Sequence, residues 1–358
     1  MDDEAAGIPT GWSDITTHWV TRSIAGHFPG AEVGTLRTLM RDDGTNRRLR
    51  LELSYVRGSG PKTLFLKANE PAHRAVHLRN GNLFNEAQLF SSGASLPIHH
   101  PDVYEAIADR EGGNFLLVME DLNARDADPR DATRPLSVEQ VASGLRGLAS
   151  LHGHYWGISK TSHPNLAWLQ TWEASQGWQV GLRKHVPIGL QRAAGLLPAE
   201  ISALSGDDVV GLWSRYVSWL GKGEVTLLHG DAHIGNTYVL PDGEVGFLDW
   251  QVVRRGSWSQ DVGYFIVGAL AQDDRRHAER DLLDEYLKAL RRCVSQPPSP
   301  QQIWMGYRCA PAYGLAVWLS TLGTDGYQTR EISLTLAQRY ACAFVDLQTR
   351  QAVDNIPG

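Results

Sequence analysis

The sequence predicts an α+β protein of two lobes, an antiparallel sheet carrying one helix followed by a mostly helical region. Three observations lead there. Short apolar-rich segments with period two fill the first third, clearest in the run LRLELSYV at 49–56. From 137 onward the period turns helical, with Val141, Leu145, Leu148, Ala149 and His152 recurring on one side. The 358 residues exceed what one hydrophobic core usually serves. The expected division is a first lobe over 1–119 with a helical extension at 1–30, a connector at 120–123, and a helical lobe over 124–358.

In order along the chain, 13–27 reads as a helix on the spacing of Ile15, Trp19 and Ile24, with Ser13 as its cap. Strands follow at 32–40, 47–56 and 62–68, the first two joined by a hairpin turn through Asp42, Asp43, Gly44, Thr45 and Asn46. A helix at 83–92 places Leu83, Phe84, Ala87 and Phe90 on one side, and strands at 102–108 and 114–119 complete the sheet. The polar, proline-containing stretch 124–135 reads as a loop. Further helices are expected near 207–220, 258–271, 275–292, 301–321 and 332–350. A small β island interrupts them at 225–229, 237–240 and 245–248, with a turn at Pro241, Asp242 and Gly243.

Charge and composition exclude several functions. The formal net charge of −6 and the absence of a basic run argue against a nucleic-acid partner. The clusters Arg47-Arg48, Arg254-Arg255 and Arg291-Arg292 read as solvated. Cys293, Cys309 and Cys342 are widely spaced among apolar neighbours, which suits buried thiols in a reducing compartment and neither a disulfide framework nor a zinc site. The start MDDEAAG lacks the basic and apolar regions of a signal peptide, and the longest apolar runs are too short to span a bilayer. A cytoplasmic protein with no membrane partner is expected.

Chemistry concentrates in one stretch. His229-Gly230-Asp231-Ala232-His233-Ile234-Gly235-Asn236 follows an apolar strand, and Asp249 stands thirteen positions beyond Asn236 at the end of the next hairpin. Phosphoryl transfer needs a group to orient a hydroxyl and take its proton, and hard oxygen ligands for the Mg²⁺ that neutralises the phosphates. Asp231 suits the first task; Asn236 and Asp249 suit the second.

This pattern, His-Gly-Asp-x-His-x-x-Asn followed by a later Asp, resembles the aminoglycoside phosphotransferase superfamily, with its choline kinase-like and ecdysteroid kinase-like members. The resemblance is specific over 229–261, moderate over 63–122 and weak elsewhere between 30 and 350. It implies a protein-kinase-like fold and an ATP- and Mg²⁺-dependent phosphotransferase, GTP remaining open, that acts on a hydroxyl of a small molecule. It implies Asp231 as the catalytic base, Asn236 and Asp249 as the metal ligands, and His229 with Gly230 as the turn that positions the loop. His233 matches the family's second histidine, in loop packing or substrate contact. Asp261 matches an aspartate at the opening of the following helix, expected to cap it and to bond the catalytic loop.

Upstream, such a fold requires a strand lysine on the phosphates paired with a helix glutamate. Lys67, in the apolar strand TLFLKA, and Glu86, in the next helix, meet that requirement; Glu70 is nearer in sequence but precedes Pro71 in a loop. Glu120-Asp121-Leu122 resembles the adenine-holding connector, where backbone groups bind and side chains are structural. Gly44-Thr45-Asn46 has two readings, a phosphate-covering loop or a plain hairpin turn. The missing Gly-x-Gly-x-x-Gly, the Trp250 after Asp249, and the missing Ala-Pro-Glu all depart from protein kinases and disfavour a protein substrate.

For the acceptor, residues 160–224 balance Glu173, Glu200, Asp207, Asp208 and Glu224 against six basic residues. A polycation would want a carboxylate cluster. The aromatic-rich stretch 152–222 suits a neutral or hydrophobic alcohol instead, although helical tryptophans are more often core. The run 273–285 mixes acidic and basic residues and reads as a solvated helix face. The alternatives are an aminoglycoside or other antibiotic-resistance kinase, a metal-dependent hydrolase using His229, Asp231, His233 and Asp249, a silent nucleotide-binding module, and a protein kinase.

Overall fold

A computed structural model describes residues 8–9 and 11–356. The signal-peptide reading of MDDEAAG and the start of the expected 1–30 extension lie outside the described residues. The chain forms two compact units. The first takes residues up to Ala94 together with Pro101–Ala127; the second takes Ser95–His100 together with the chain from Asp128. Residues 120–123 therefore lie within the first unit, and the short segment 95–100 belongs to the second.

In the first unit, α1 (Thr17–Ile24), β1 (Glu32–Asp43), β2 (Asn46–Arg57), β3 (Thr63–Asn69), α2 (Arg74–Arg79), α3 (Asn85–Ser91), β4 (Val103–Asp109) and β5 (Asn114–Glu120) follow one another. The strands pair antiparallel in the order β1-β2-β3-β5-β4. Strand side chains alternate between faces, and here both faces are covered. Leu116 and Val118 of β5 join Leu64, Leu66 and Ala68 of β3 in a core with Trp19, Val20 and Ile24 of α1. Phe115, Leu117 and Met119 face the other way, into a cluster with Leu83 and Ala87. Double burial explains why Phe115–Met119 reads as an unbroken apolar run rather than an alternating one. Cutting Leu117 back to alanine would cost roughly 2–5 kcal/mol.

Helix α1 is shorter than predicted. Thr16, not Ser13, caps it, accepting from the Trp19 N–H at 3.2 Å, and Ser13 lies in a separate 3-10 turn. The short α2 has no buried residue, so it left no apolar period to read.

The second unit comprises β6 (Asp128–Pro129), α4 (Val138–His154), α5 (Gln176–Arg192), α6 (Ala199–Ser202), α7 (Gly206–Leu220), β7 (Thr226–Leu228), β8 (Thr237–Val239), β9 (Val245–Phe247), β10 (Arg254–Gly256), α8 (Ser259–Ala269), α9 (Gln272–Leu290), α10 (Pro300–Cys309), α11 (Pro311–Leu322), α12 (Arg330–Asp346) and α13 (Thr349–Asp354). The predicted helix 301–321 is two helices, because Pro311 has no N–H to continue α10 and starts α11 instead. That predicted at 332–350 breaks at Gln348, whose φ is 51°. Helix α5 went unpredicted, because it carries Pro187 internally and buries only Leu182, Val186 and Gly189. It packs on α11 at Gly189, where a β-carbon would come within 1.9 Å of the Leu319 carbonyl oxygen.

Three predicted surfaces are revised. Arg254 is buried, bonded to Gln170 Oε1 at 2.8 Å with its guanidinium over the Trp172 ring. Arg275 is buried too, paired with Glu279 at 2.6 Å, whose carboxylate also accepts from the Tyr307 hydroxyl. The helix face around 275–279 is thus a packed ion pair. Cys293 is exposed in the turn after α9, unlike the buried Cys309. Among the described residues no helix is long and apolar enough to cross a membrane.

Candidate active site

The HGD loop leaves β7, whose three residues are fully buried, and its backbone is held from outside the loop. Gly230 takes φ 84°, and a β-carbon there would stand 2.2 Å from the Val252 carbonyl oxygen. Only glycine satisfies both conditions. The next element supplies the anchor. Asp261 of α8, fully buried, accepts from the His229 N–H at 2.7 Å and from the Gly230 N–H at 2.9 Å. Its Oδ2 also accepts from His152 Nε2 at 3.2 Å, and His152 Nδ1 in turn accepts from the Tyr286 hydroxyl at 2.9 Å. Asp261 is the third residue of α8 and not its cap, since Trp258 occupies that position. The capping role expected for it is therefore corrected; its two oxygens are spent on the loop.

The two histidines of the motif are fixed by backbone groups. His229 accepts from the Asp231 N–H on Nδ1 at 3.3 Å and donates from Nε2 to the Leu248 carbonyl at 3.0 Å. Both ring nitrogens are thereby committed, which removes His229 as a ligand of the metal cluster in the hydrolase reading. His233 accepts from the Gly235 N–H on Nδ1 at 3.0 Å, capping the turn Ile234–Asn236. Burial pushes its pKa down to about 3, so it is uncharged near neutrality. Its ring meets Trp318 edge-on at 5.1 Å and Tyr264 at 5.9 Å.

Around these supports stand three side chains with oxygen chemistry. Asn236 donates from Nδ2 to the backbone carbonyl of Asp231 at 2.9 Å and to its Oδ2 at 3.2 Å. The amide nitrogen is thus used, and the amide oxygen is the atom left for a cation. Asp249 takes φ 63°, a left-handed conformation uncommon outside glycine. The residue before it, Leu248, donates its N–H to the Asn236 carbonyl at 2.9 Å, tying the two loops together. Asp231 is pushed up to about 7, first by burial and then by the negative charge of Asp249, with the Asn236 bond opposing. A pair of carboxylates, one of them held above its ordinary range by burial and by the other's charge, together with an amide oxygen, is a hard-oxygen donor set suited to a small divalent cation.

In the first unit, Lys67 lies on the same face of β3 as Phe65, the face that looks toward α3. Its Nζ meets Glu86 Oε2 at 2.6 Å, and both side chains are nearly inaccessible at 6% and 5% exposure. Alternation along the strand dictates this meeting: Leu64, Leu66 and Ala68 take the opposite face.

Residues 49–296 match the APH family, described as the phosphotransferase enzyme family. The chain belongs to that family. No curated protein sequence matches it. Among solved structures, a spectinomycin phosphotransferase in complex with ADP and spectinomycin aligns with a TM-score of 0.53 at 15% identity, over 94% of this chain and 99% of that one. A putative aminoglycoside phosphotransferase from Ralstonia eutropha gives the same score and identity, over 94% and 98%. A choline kinase from Cryptosporidium parvum Iowa II gives 0.50 at 10% identity, over 96% and 94%. These likenesses establish a shared fold.

In this phosphotransferase the remaining predicted positions take structural partners. Glu120 binds Arg125 through Nε at 2.7 Å and accepts from the Asp102 N–H at 3.2 Å. Burial alone would raise the pKa of Asp121, but bonds from Arg50, Thr63 and Asn123 hold it below the usual carboxylate range. Leu122 opens a 3-10 turn, Leu122–Arg125. Gly44 and Thr45 form the two-residue link between β1 and β2, and Asn46 opens β2. Sequence reading missed Tyr264 of α8 and Tyr313 of α11, which lie near the phosphotransferase's Asp231, and Trp318 of α11, whose ring meets His233. Tyr264 lies only three residues beyond Asp261, the one signal that pointed toward it.

Proposed function

We propose that this phosphotransferase uses ATP and Mg²⁺ to move the γ-phosphoryl group onto a hydroxyl of a neutral or hydrophobic small molecule. The supporting observation is Asp231, raised toward neutrality and bonded to Asn236 beside Asp249. A base whose pKa lies near the working pH combines availability with proton affinity. Asp231 would align the acceptor hydroxyl and take its proton. Asn236, through its amide oxygen, and Asp249 would hold Mg²⁺, which when bound supplies neutralisation of phosphate charge. Lys67, oriented by Glu86, would contact the phosphates. Backbone groups near Glu120 and Leu122 would hold the base of the nucleotide. Gly44, Thr45 and Asn46 would lie over the phosphates or serve as the plain turn they form. His233 would fix the shape of the loop, as its bond to Gly235 suggests.

The test is Mg²⁺-dependent ADP release from ATP against aminoglycosides, macrolides, choline, sugars and sterols, comparing wild type with Asp231→Asn. Stimulation by one class, lost in the variant, is the expected result. Failure to bind ATP would sink the reading.

A further inference from the structure

Behind the catalytic loop, four elements meet around one imidazole. His152 of α4 is fully buried, and its carbonyl accepts from Thr226 Oγ1 of β7 at 2.7 Å. Its Nε2 faces Asp261 Oδ2 of α8 at 3.2 Å, and its Nδ1 faces the hydroxyl of Tyr286 of α9 at 2.9 Å. A neutral imidazole carries one N–H, and its neighbours decide which nitrogen holds it. Asp261 already accepts from two backbone N–H groups, those of His229 and Gly230. An ionised carboxylate only accepts, so it attracts His152 only when Nε2 holds the hydrogen. Nδ1 is then a bare acceptor in a dry interior, where a polar atom left without a partner is costly. The Tyr286 hydroxyl supplies the donor. Burial, and then the charge of Asp261, push its pKa well above 10, so it keeps its proton.

Tyr286 is itself fixed. Its ring stacks on Trp258, the residue that precedes α8, at 5.6 Å and 29° between planes, and meets the His152 ring edge-on at 5.9 Å. In sequence it stands among the buried leucines 282, 283, 287 and 290, where a tyrosine looks like core. A core ring would need no hydroxyl. This hydroxyl ends a chain of hydrogen bonds that runs through His152 and Asp261 to the backbone next to Asp231.

We propose that Tyr286 is a positioning residue of phosphoryl transfer: through His152 it steadies Asp261 against the catalytic loop, and so holds Asp231 in its working place. This rests on the phosphotransferase reading and adds a residue to it.

The test is a double-mutant cycle on the full chain. Tyr286→Phe keeps the ring and its stacking on Trp258 and removes only the hydroxyl. His152→Gln keeps a donor for Asp261 and cuts the link to Tyr286. Hydrogen exchange of the His229 and Gly230 amides reads the loop, and ADP release from ATP and Mg²⁺ reads turnover, with aminoglycosides, macrolides, choline, sugars and sterols as acceptors. In Tyr286→Phe the two amides should exchange about three- to tenfold faster, and kcat should fall by a similar factor with KM for ATP unchanged, the worth of one buried hydrogen bond. In the His152→Gln background the same change should add nothing, because residues that act through one another are not additive. In the wild type, ¹⁵N spectra of labelled histidine should show His152 with its hydrogen on Nε2. A hydrogen on Nδ1 there, unchanged amide exchange in Tyr286→Phe, or an equal loss in both backgrounds overturns the proposal, since a tyrosine that serves only packing would act independently of His152. Absence of ADP release in the wild type would break the phosphotransferase reading, while the exchange cycle and the spectra would still decide whether Tyr286 holds the loop.

Discussion

The two units handle charge in opposite ways. In the first, Lys67 and Glu86 neutralise one another in a nearly dry site. In the second, Asp231 and Asp249 bring like charges together, and bonds from Asn236 and Tyr264 oppose the resulting rise in the Asp231 pKa. The first arrangement pairs opposite charges. The second is held at a cost that a cation would remove. A single chain thus contains one preorganised site and one site under electrostatic tension, and substitutions should act on them with opposite sign.

The largest expected effect is on the tense side. Asp231→Asn should lower kcat by at least about a hundredfold in an ADP-release assay, the range for loss of a general base. The same change should raise the thermal midpoint of the metal-free protein at pH 7, because it removes a buried negative charge beside another. A lower midpoint would show that the tension is absent.

On the paired side the sign reverses. Glu86→Gln removes the carboxylate paired with the buried Lys67 ammonium, and should destabilise by about 3–5 kcal/mol in urea unfolding. The double change Lys67→Met with Glu86→Leu should recover much of that loss, since exchanging a whole buried pair for apolar groups is often neutral. Equal losses in the single and double variants would mean packing, not charge, sets the cost.

Next in size, Gly230→Ala should cost about 2 kcal/mol or more, from the positive φ and the contact with Val252. Circular dichroism melting would read it. A neutral outcome would show that the loop relaxes without its glycine.

The last expected effect is a slope. The folded pKa of Asp231 lies above its ordinary 3.8, at about 7, so the folded state binds more protons than the unfolded between those values. Its contribution to stability is therefore present at low pH and is lost as pH rises from about 4 to 7. The difference in midpoint between metal-free wild type and Asp231→Asn should widen over that window. Excess Mg²⁺ should narrow it, by favouring the carboxylate form. A difference independent of pH would contradict the shift.

Legibility in the sequence followed distance along the chain. Asp231 and Asn236 are five residues apart and bonded, so spacing alone could suggest their meeting. Lys67 and Glu86 are further apart, yet strand alternation in β3 and the apolar side of α3, the second helix after it, bring them together. The β5 strand was visible as a buried run for the same reason. What stayed hidden was contributed across long separations by residues with ordinary local roles. Trp318 and Tyr313 sit in a helix that is apolar nearly all round, where an aromatic looks like core. Arg254 looked solvated because a pair of arginines usually is, and nothing local announces that Trp172, over eighty positions earlier, lies under its guanidinium. Helix α5 was missed because its internal Pro187 and sparse buried face mask the period.

The segment Ser95–His100 has a temporal meaning. It belongs to the second unit, where the His99 carbonyl accepts from the Phe247 N–H at 2.8 Å and Tyr155 donates to the Ser95 carbonyl at 2.7 Å. During synthesis these six residues leave the ribosome well before either partner exists. The ribosome adds on the order of 5–20 residues each second, so the carbonyl of His99 waits many seconds for Phe247. A fragment starting at Asp128 would lack the segment altogether, and cleavage between the units would produce a second piece with unpaired backbone where those carbonyls should be.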